Sequence, residues 1–399
     1  MARWQAGFGL VAMLALAGSP AAAQSLRAGE VFSSVAVTTL AQPRPVAGAD
    51  GRIHLAYEYA LTNTGSIFVT IDKVEAVTPE GRVDGSIAGP ALVAMMRGGD
   101  KGTLPVGGAA YVLMDVSYPA GTTLPATLAP RITITRQLVG PDGKPAVFPP
   151  TEPLPATVTF TGPATAIGQT PAVVIAPPLR GAGWVAVNGC CDTMTSHRGA
   201  IMAINGVALA PERFAIDWIK IDGAGRAFTG PSTDVNGYPG FGSPIHAVAD
   251  GTVVNLYDQA AEQVPGVPKG ITTESIGGNM LVIDIGGGNY TFYAHLQPGS
   301  LKVKRGDKVK TGQVIALLGN TGNTNAPHLH FHVMDGPSPL NANSLPYVFT
   351  RFTGTGRIID STIDAAIDNG EPFGVDDAAL SGPHTNQLPL NNQIVDFGG

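Results

Sequence analysis

Over residues 25–169, apolar and polar side chains alternate in short runs. Residues 31–37, 53–61, 67–71, 110–116, 131–135 and 156–160 each place apolar groups at about every second position. A period of two marks a strand with one face buried. Turn-forming clusters such as Asn63-Thr64-Gly65-Ser66 and Gly140-Pro141-Asp142-Gly143 separate the runs. This spacing predicts a β-sandwich of immunoglobulin-like type over residues 24–165. Proline- and glycine-rich segments follow, and residues 166–178 read as a linker.

Strand patterning resumes over residues 179–347. Residues 243–254 predict two strands around the Asp250-Gly251 turn. Residues 279–285 predict a buried strand, and Gly286-Gly287-Gly288 a turn into the run 290–295. Residues 303–309 predict a further hairpin, and 313–318 lead into the next strand. Beyond Tyr347 the pattern fades, so residues 348–399 read as a tail. Within it, 358–368 fits a short helix capped by Asp360 or Ser361, and 388–397 a loose terminal strand. Long helical periodicity is scarce, and the 52 glycines and 33 prolines are scattered, so the fold class is all-β.

A length of 399 residues suggests two or three domains. The formal charge of −6 (24 basic against 30 acidic residues) argues against nucleic acid as a partner. Residues 1–23 read as a secretory signal peptide, with Arg3, an apolar stretch over 8–16, and Ala21-Ala22-Ala23 before Gln24. The apolar stretch is shorter than the ~20 residues a membrane span needs. The expectation is export, periplasmic or extracellular, with no stable membrane insertion once the signal is removed. Nothing in the sequence sets the oligomeric state. The two cysteines, Cys190 and Cys191, are adjacent and cannot close an ordinary loop. A vicinal disulfide, a free pair and a metal-bound thiolate all remain open.

Candidate chemistry concentrates in Ala326-Pro327-His328-Leu329-His330-Phe331-His332-Val333. On a strand, His328, His330 and His332 share one face while Leu329, Phe331 and Val333 pack behind. Such a row of imidazoles favours a neutral or metal-bound state near pH 7, and zinc is the usual metal for it. Of the other histidines, His54 reads as a surface or packed residue, His246 as structural, and His384 as incidental.

Several motifs together resemble the M23 (LytM/lysostaphin-type) zinc metallopeptidase family. They are Pro327-His328-Leu329-His330-Phe331, Tyr293-Ala294-His295-Leu296, Gly306-Asp307-Lys308-Val309-Lys310-Thr311-Gly312-Gln313, Gly319-Asn320-Thr321-Gly322 and the run 245–254. The resemblance spans about Arg213 to Met334, and more loosely reaches back to Trp184; the N-terminal sandwich lies outside it. It implies an antiparallel β peptidase domain over 179–347, with a groove across its sheet. It also implies zinc held by a His and an Asp of an early motif and by the second His of His-x-His. Carried over, Asp217 and His330 are metal ligands, and His295 and His328 are the catalytic residues flanking a metal-bound water.

The family spacing His-x-x-x-Asp would put the remaining ligand at position 213, where Arg213 is a permanent cation. The nearest upstream histidine is His197. Residues 200–212 are read as part of an inserted hairpin that returns it to the metal. His332, standing where the family more often has Glu, is the substitute ligand, and a broken site without metal is the third outcome. The implied activity is that of a secreted zinc-dependent endopeptidase hydrolysing peptide bonds of peptidoglycan. The alternative is a catalytically inactive protein of the same fold that binds peptidoglycan or regulates another cell-wall hydrolase.

Overall fold

A computed structural model describes residues 30–149 and 154–399, and the expected signal segment lies outside them. Among the described residues no helix is long and apolar enough to cross a membrane. The chain is almost entirely β, with mostly antiparallel pairing.

The central element is a twelve-stranded sheet. At its middle lies the strand Leu329–Met334, antiparallel to Asn289–Leu296 on one side and to Ile216–Lys220 on the other. Leu329, Phe331 and Val333 are fully buried and join the main core with Tyr293, Trp218 and Phe349. The intervening His330 and His332 face the other side, where Phe292 packs against both rings. Both faces of this strand are therefore covered, and all six of its residues are buried. The sheet continues through Trp184–Val187 to Gln393–Asp396 and Phe352–Ile358.

In the N-terminal part, the strands Val35–Thr39, Arg52–Asn63 and Ala109–Pro119 form one sheet, and Phe68–Val77 with Thr127–Val139 anchor another. Their inward residues, among them Leu55, Tyr57, Tyr59, Val74, Val112 and Ile132, share one core. This is the two-sheet packing that the alternation predicts. Ser33 to Gly399 form one compact unit. Val46, Ala49 and Ala56 of the N-terminal part sit in the main core with Trp184 and Phe331, so apolar packing runs across the junction.

Four expectations change. Residues 243–254 are not a hairpin: Pro244–His246 pairs with Val314–Leu317, while Gly251–Tyr257 pairs with Asn279–Gly286. The Asp250 carboxylate accepts bonds from Thr311 and Lys310 instead, tying the turn to a distant loop. Residues 303–309 contribute only the short strand Lys308–Val309, which pairs with Gly251 and Thr252. Residues after Tyr347, expected as a tail, extend the central sheet. In Phe352–Ile358 the buried positions are Phe352, Gly354, Gly356 and Ile358; two are glycines, so no apolar alternation is visible. The expected helix is present as a 3-10 turn at Asp360–Thr362 and Ile363–Asn369, but Thr362 is its N-cap and no side chain caps it.

Candidate metal centre

The strand pair Ile216–Lys220 and Leu329–Met334 puts Asp217 directly opposite His330. His330 Nδ1 lies 2.9 Å from Asp217 Oδ1. His197 comes from the loop after Trp184–Val187, and its Nε2 lies 3.2 Å from Asp217 Oδ2. The segment separating His197 from Asp217 forms the predicted hairpin, Met202–Ile204 with Val207–Leu209. His197, Asp217 and His330 each offer a ligand atom within 4.8 Å of the others.

His328 precedes the strand, yet its Nε2 also reaches Asp217 Oδ1, at 3.3 Å. His295 sits at the end of its strand with φ of 62°, an unusual backbone state for a non-glycine residue. Its ring lies 4.6 Å from that of His328, centre to centre. The structure thus brings all five expected site residues together.

The tautomers follow from the backbone. His197 Nδ1 donates to the Ala215 carbonyl (3.1 Å), His328 Nδ1 to the Ala326 carbonyl (2.7 Å) and His295 Nδ1 to the Thr321 carbonyl (2.7 Å). In the neutral rings each Nε2 is left as a lone pair. Those of His197 and His328 then face carboxylate oxygens of Asp217. A lone pair turned on a carboxylate is repulsive unless a cation, proton or metal, lies between them. Burial disfavours the imidazolium of His197, yet the Asp217 charge outweighs it and raises the pKa to about 9. Burial would likewise raise Asp217, but His197 and His328 hold it well below the usual carboxylate range. Burial opposes the imidazolium of His328 too, and Asp217 raises its pKa. His295 is pushed well below the ordinary histidine value by burial and by His328 and His330, so it is neutral. Two imidazoles and one carboxylate are a donor set that zinc accepts, with positions left for water or substrate. The residues present therefore fit a divalent metal.

His332 is not turned towards the carboxylate. It is 1% exposed, and its Nδ1 lies 3.0 Å from His330 Nε2. With His330 Nδ1 at the metal position, His330 Nε2–H donates to His332. The Nε2 of His332 is then buried without a hydrogen-bond partner, beside the Phe292 ring. Burial and the neighbouring His330 hold its pKa well below normal. His332 thus orients the His330 ring.

Arg213, at the family's ligand position, points elsewhere and pairs with the buried Glu58. His246 is bonded to the Pro178 carbonyl, and His384 to Gln387 and the Leu380 carbonyl; neither is among the described residues lining the groove. His54 is buried between Asp50 and Asp115. Cys190 and Cys191 are joined to each other, so the nearby cluster of His54, Asp115 and Cys191 lacks a thiolate for a metal.

Sequence reasoning missed the supporting groups. Asn188 Nδ2 donates to Asp217 Oδ2 at 2.8 Å, and Thr324 Oγ1 lies 3.2 Å from His328 Nδ1. Gly278, at φ of 62°, lies so close to Thr321 that a Cβ would stand 2.2 Å from the carbonyl oxygen that holds His295. The centre opens into a groove of about 700 Å³, walled by Met202, Ile219, Ile276, Met280 and Leu340. None of the described residues lining it is Lys or Arg, whereas Glu212 and Glu274 are present.

Comparison with known sequences bears on the family of this β domain. Residues 233–342 match the sequence model of Peptidase family M23, so this segment of the chain is an M23-family domain. The match includes His295, His328, His330 and His332; His197 and Asp217 precede it. The chain is 32% identical over 115 residues to the glycyl-glycine endopeptidase ALE-1 of Staphylococcus capitis, covering 29% of this chain and 28% of that protein. It is 35% identical over 101 residues to the peptidoglycan DD-endopeptidase ShyA of Vibrio cholerae, covering 25% and 20%. The chain thus spans less than a third of the length of these relatives. Among solved structures it is similar to the catalytic domain of lysostaphin from Staphylococcus simulans, at 26% identity and a TM-score of 0.22, covering 36% of this chain and 80% of that one.

Proposed function

We propose that the protein is an exported, zinc-dependent endopeptidase that hydrolyses peptide bonds of peptidoglycan. The observation that carries this reading is the turning of His197 Nε2, an Asp217 oxygen and His330 Nδ1 onto one point at the floor of a groove. These three would hold the ion. When bound, zinc supplies Lewis acidity that polarises a carbonyl and acidifies water.

The rest is the work of the chain's own side chains. His295, held neutral and fixed by Thr321, presents Nε2 as a proton acceptor. His328, fixed by Ala326, presents its Nε2 beside it. Either ring, once protonated there, donates to a developing oxyanion or to the leaving amine. The groove accommodates an extended peptide, and the activities named for ALE-1 and ShyA support peptidoglycan peptides as its class.

The test is zinc content of residues 24–399 purified without chelators, beside His197→Ala, followed by incubation with isolated cell-wall sacculi. One zinc per chain, lost in His197→Ala, with release of soluble peptide fragments, is the expected result. Zinc retained in the variant would remove His197 from the ligand set. No zinc in the wild type, even when supplied, would overturn the enzyme reading in favour of a binding or regulatory protein.

A further inference from the structure

We propose that Glu58, a residue of the N-terminal sandwich, is a positioning residue of the metal centre. It ties together the two ends of the insertion that separates His197 from Asp217. The inference rests on the metal reading above and assigns the sandwich a part in it.

Glu58 lies on the long strand Arg52–Asn63, and its side chain is wholly buried. Oε1 accepts from Arg198 Nη1 at 2.9 Å and from Arg213 Nε at 2.8 Å. Oε2 accepts from Arg213 Nε at 3.1 Å and from Nη2 of the same fork. Arg198 also donates to the carbonyls of Cys191 (3.2 Å) and Met114 (3.1 Å), reaching both sides of the junction. Both guanidinium groups are at most 5% exposed. Burial would raise the Glu58 pKa, but Arg213 and Arg198 outweigh it and hold the carboxylate charged.

The placement of the two arms matters. Arg198 directly follows the ligand His197. Arg213 stands two residues before Ala215, whose carbonyl fixes the His197 ring, and four before Asp217. One carboxylate therefore closes the base of the inserted hairpin on both sides. Arg213 occupies the position where the family pattern has its ligand; here it serves as an arm of the clamp while His197 takes the ligand's place. A metal site needs its donors held to roughly half an ångström, and a loop without a closed base does not hold them so.

A purely structural role would lower stability without a specific effect on metal. The test therefore measures zinc affinity by chelator competition, together with thermal unfolding, on residues 24–399. Glu58→Asp keeps the charge but cannot span both arginines, and is expected to fold and bind zinc roughly 10- to 100-fold more weakly. Glu58→Gln leaves two buried cations under-compensated and is expected to be unstable, so an apolar triple variant, Glu58→Met with Arg198→Leu and Arg213→Met, accompanies it. Apolar replacement of buried ionic triads is tolerated, so this variant is expected to fold and yet bind zinc weakly. Wild-type zinc affinity in Glu58→Asp, or in a folded triple variant, would overturn the proposal. So would loss of fold in every variant, which would leave Glu58 a structural role alone. A wild-type chain without zinc would instead overturn the metal reading itself.

Discussion

At the scale of single residues, the centre depends on backbone carbonyls and close-packed glycines as much as on its histidines. Gly278 is the sharpest case, since its φ is left-handed and a Cβ would overlap the Thr321 carbonyl. Gly278→Ala is expected to cost about 3 kcal/mol and to displace the acceptor that fixes His295. Urea unfolding would read the first effect and turnover on sacculi the second. His328→Ala removes no proposed ligand, so zinc content should stay at the wild-type level while most turnover is lost; full turnover would remove His328 from the mechanism. For His332, the hydrogen bond to His330 is the point at issue. His332→Phe keeps the bulk beside Phe292 but no acceptor, and zinc affinity should fall about 10- to 100-fold. His332→Gln, which can still accept, should lose less. Equal affinities in the two would show that the bond does not orient His330.

At the scale of elements, the parts legible in the sequence are those whose buried face is made of large side chains. The strand Leu329–Met334 declares itself because Leu, Phe and Val alternate with histidine. Asp217 stands out because Ile216 and Trp218 flank it in a short strand that Phe214 shortly precedes. The strand Phe352–Ile358 does not, because glycine fills half of its inner face. The clamp was invisible for another reason: Glu58 and Arg213 are 155 residues apart, and no local pattern marks such a pair. The strand Gln393–Asp396 covers the edge of Trp184–Val187, and Phe397 packs on Trp218 at 5.1 Å. Truncation after residue 387 is therefore expected to lower the melting temperature by ten degrees or more, on the order expected for losing several buried apolar side chains. An unchanged melting temperature would mean that this strand is dispensable.

For the whole molecule, the shared core around Val46, Ala49, Ala56 and Phe331 predicts one cooperative unfolding transition by calorimetry, where independent parts would give two. His54 contributes to the pH dependence of that stability. Burial would lower its pKa, but the hydrogen bonds it donates to Asp115 and Asp50 prevail and raise it to about 9, against 6.5 when unfolded. The stabilisation, about 3 kcal/mol, is fully present below pH 6.5 and is lost as the pH rises through 9. The difference in urea midpoint between wild type and His54→Gln should accordingly shrink between pH 6 and pH 10. The same junction has a consequence for timing. Gln387 Nε2 bonds the Gly48 carbonyl across 339 positions, and Glu58 meets Arg198 and Arg213 only after more than half of the chain has been made. A chain emerging from the ribosome thus carries every residue of the clamp before His295, His328 and His330 have been made. The proposed metal centre can therefore form only late in synthesis, and a short nascent polypeptide lacks the donors to hold an ion.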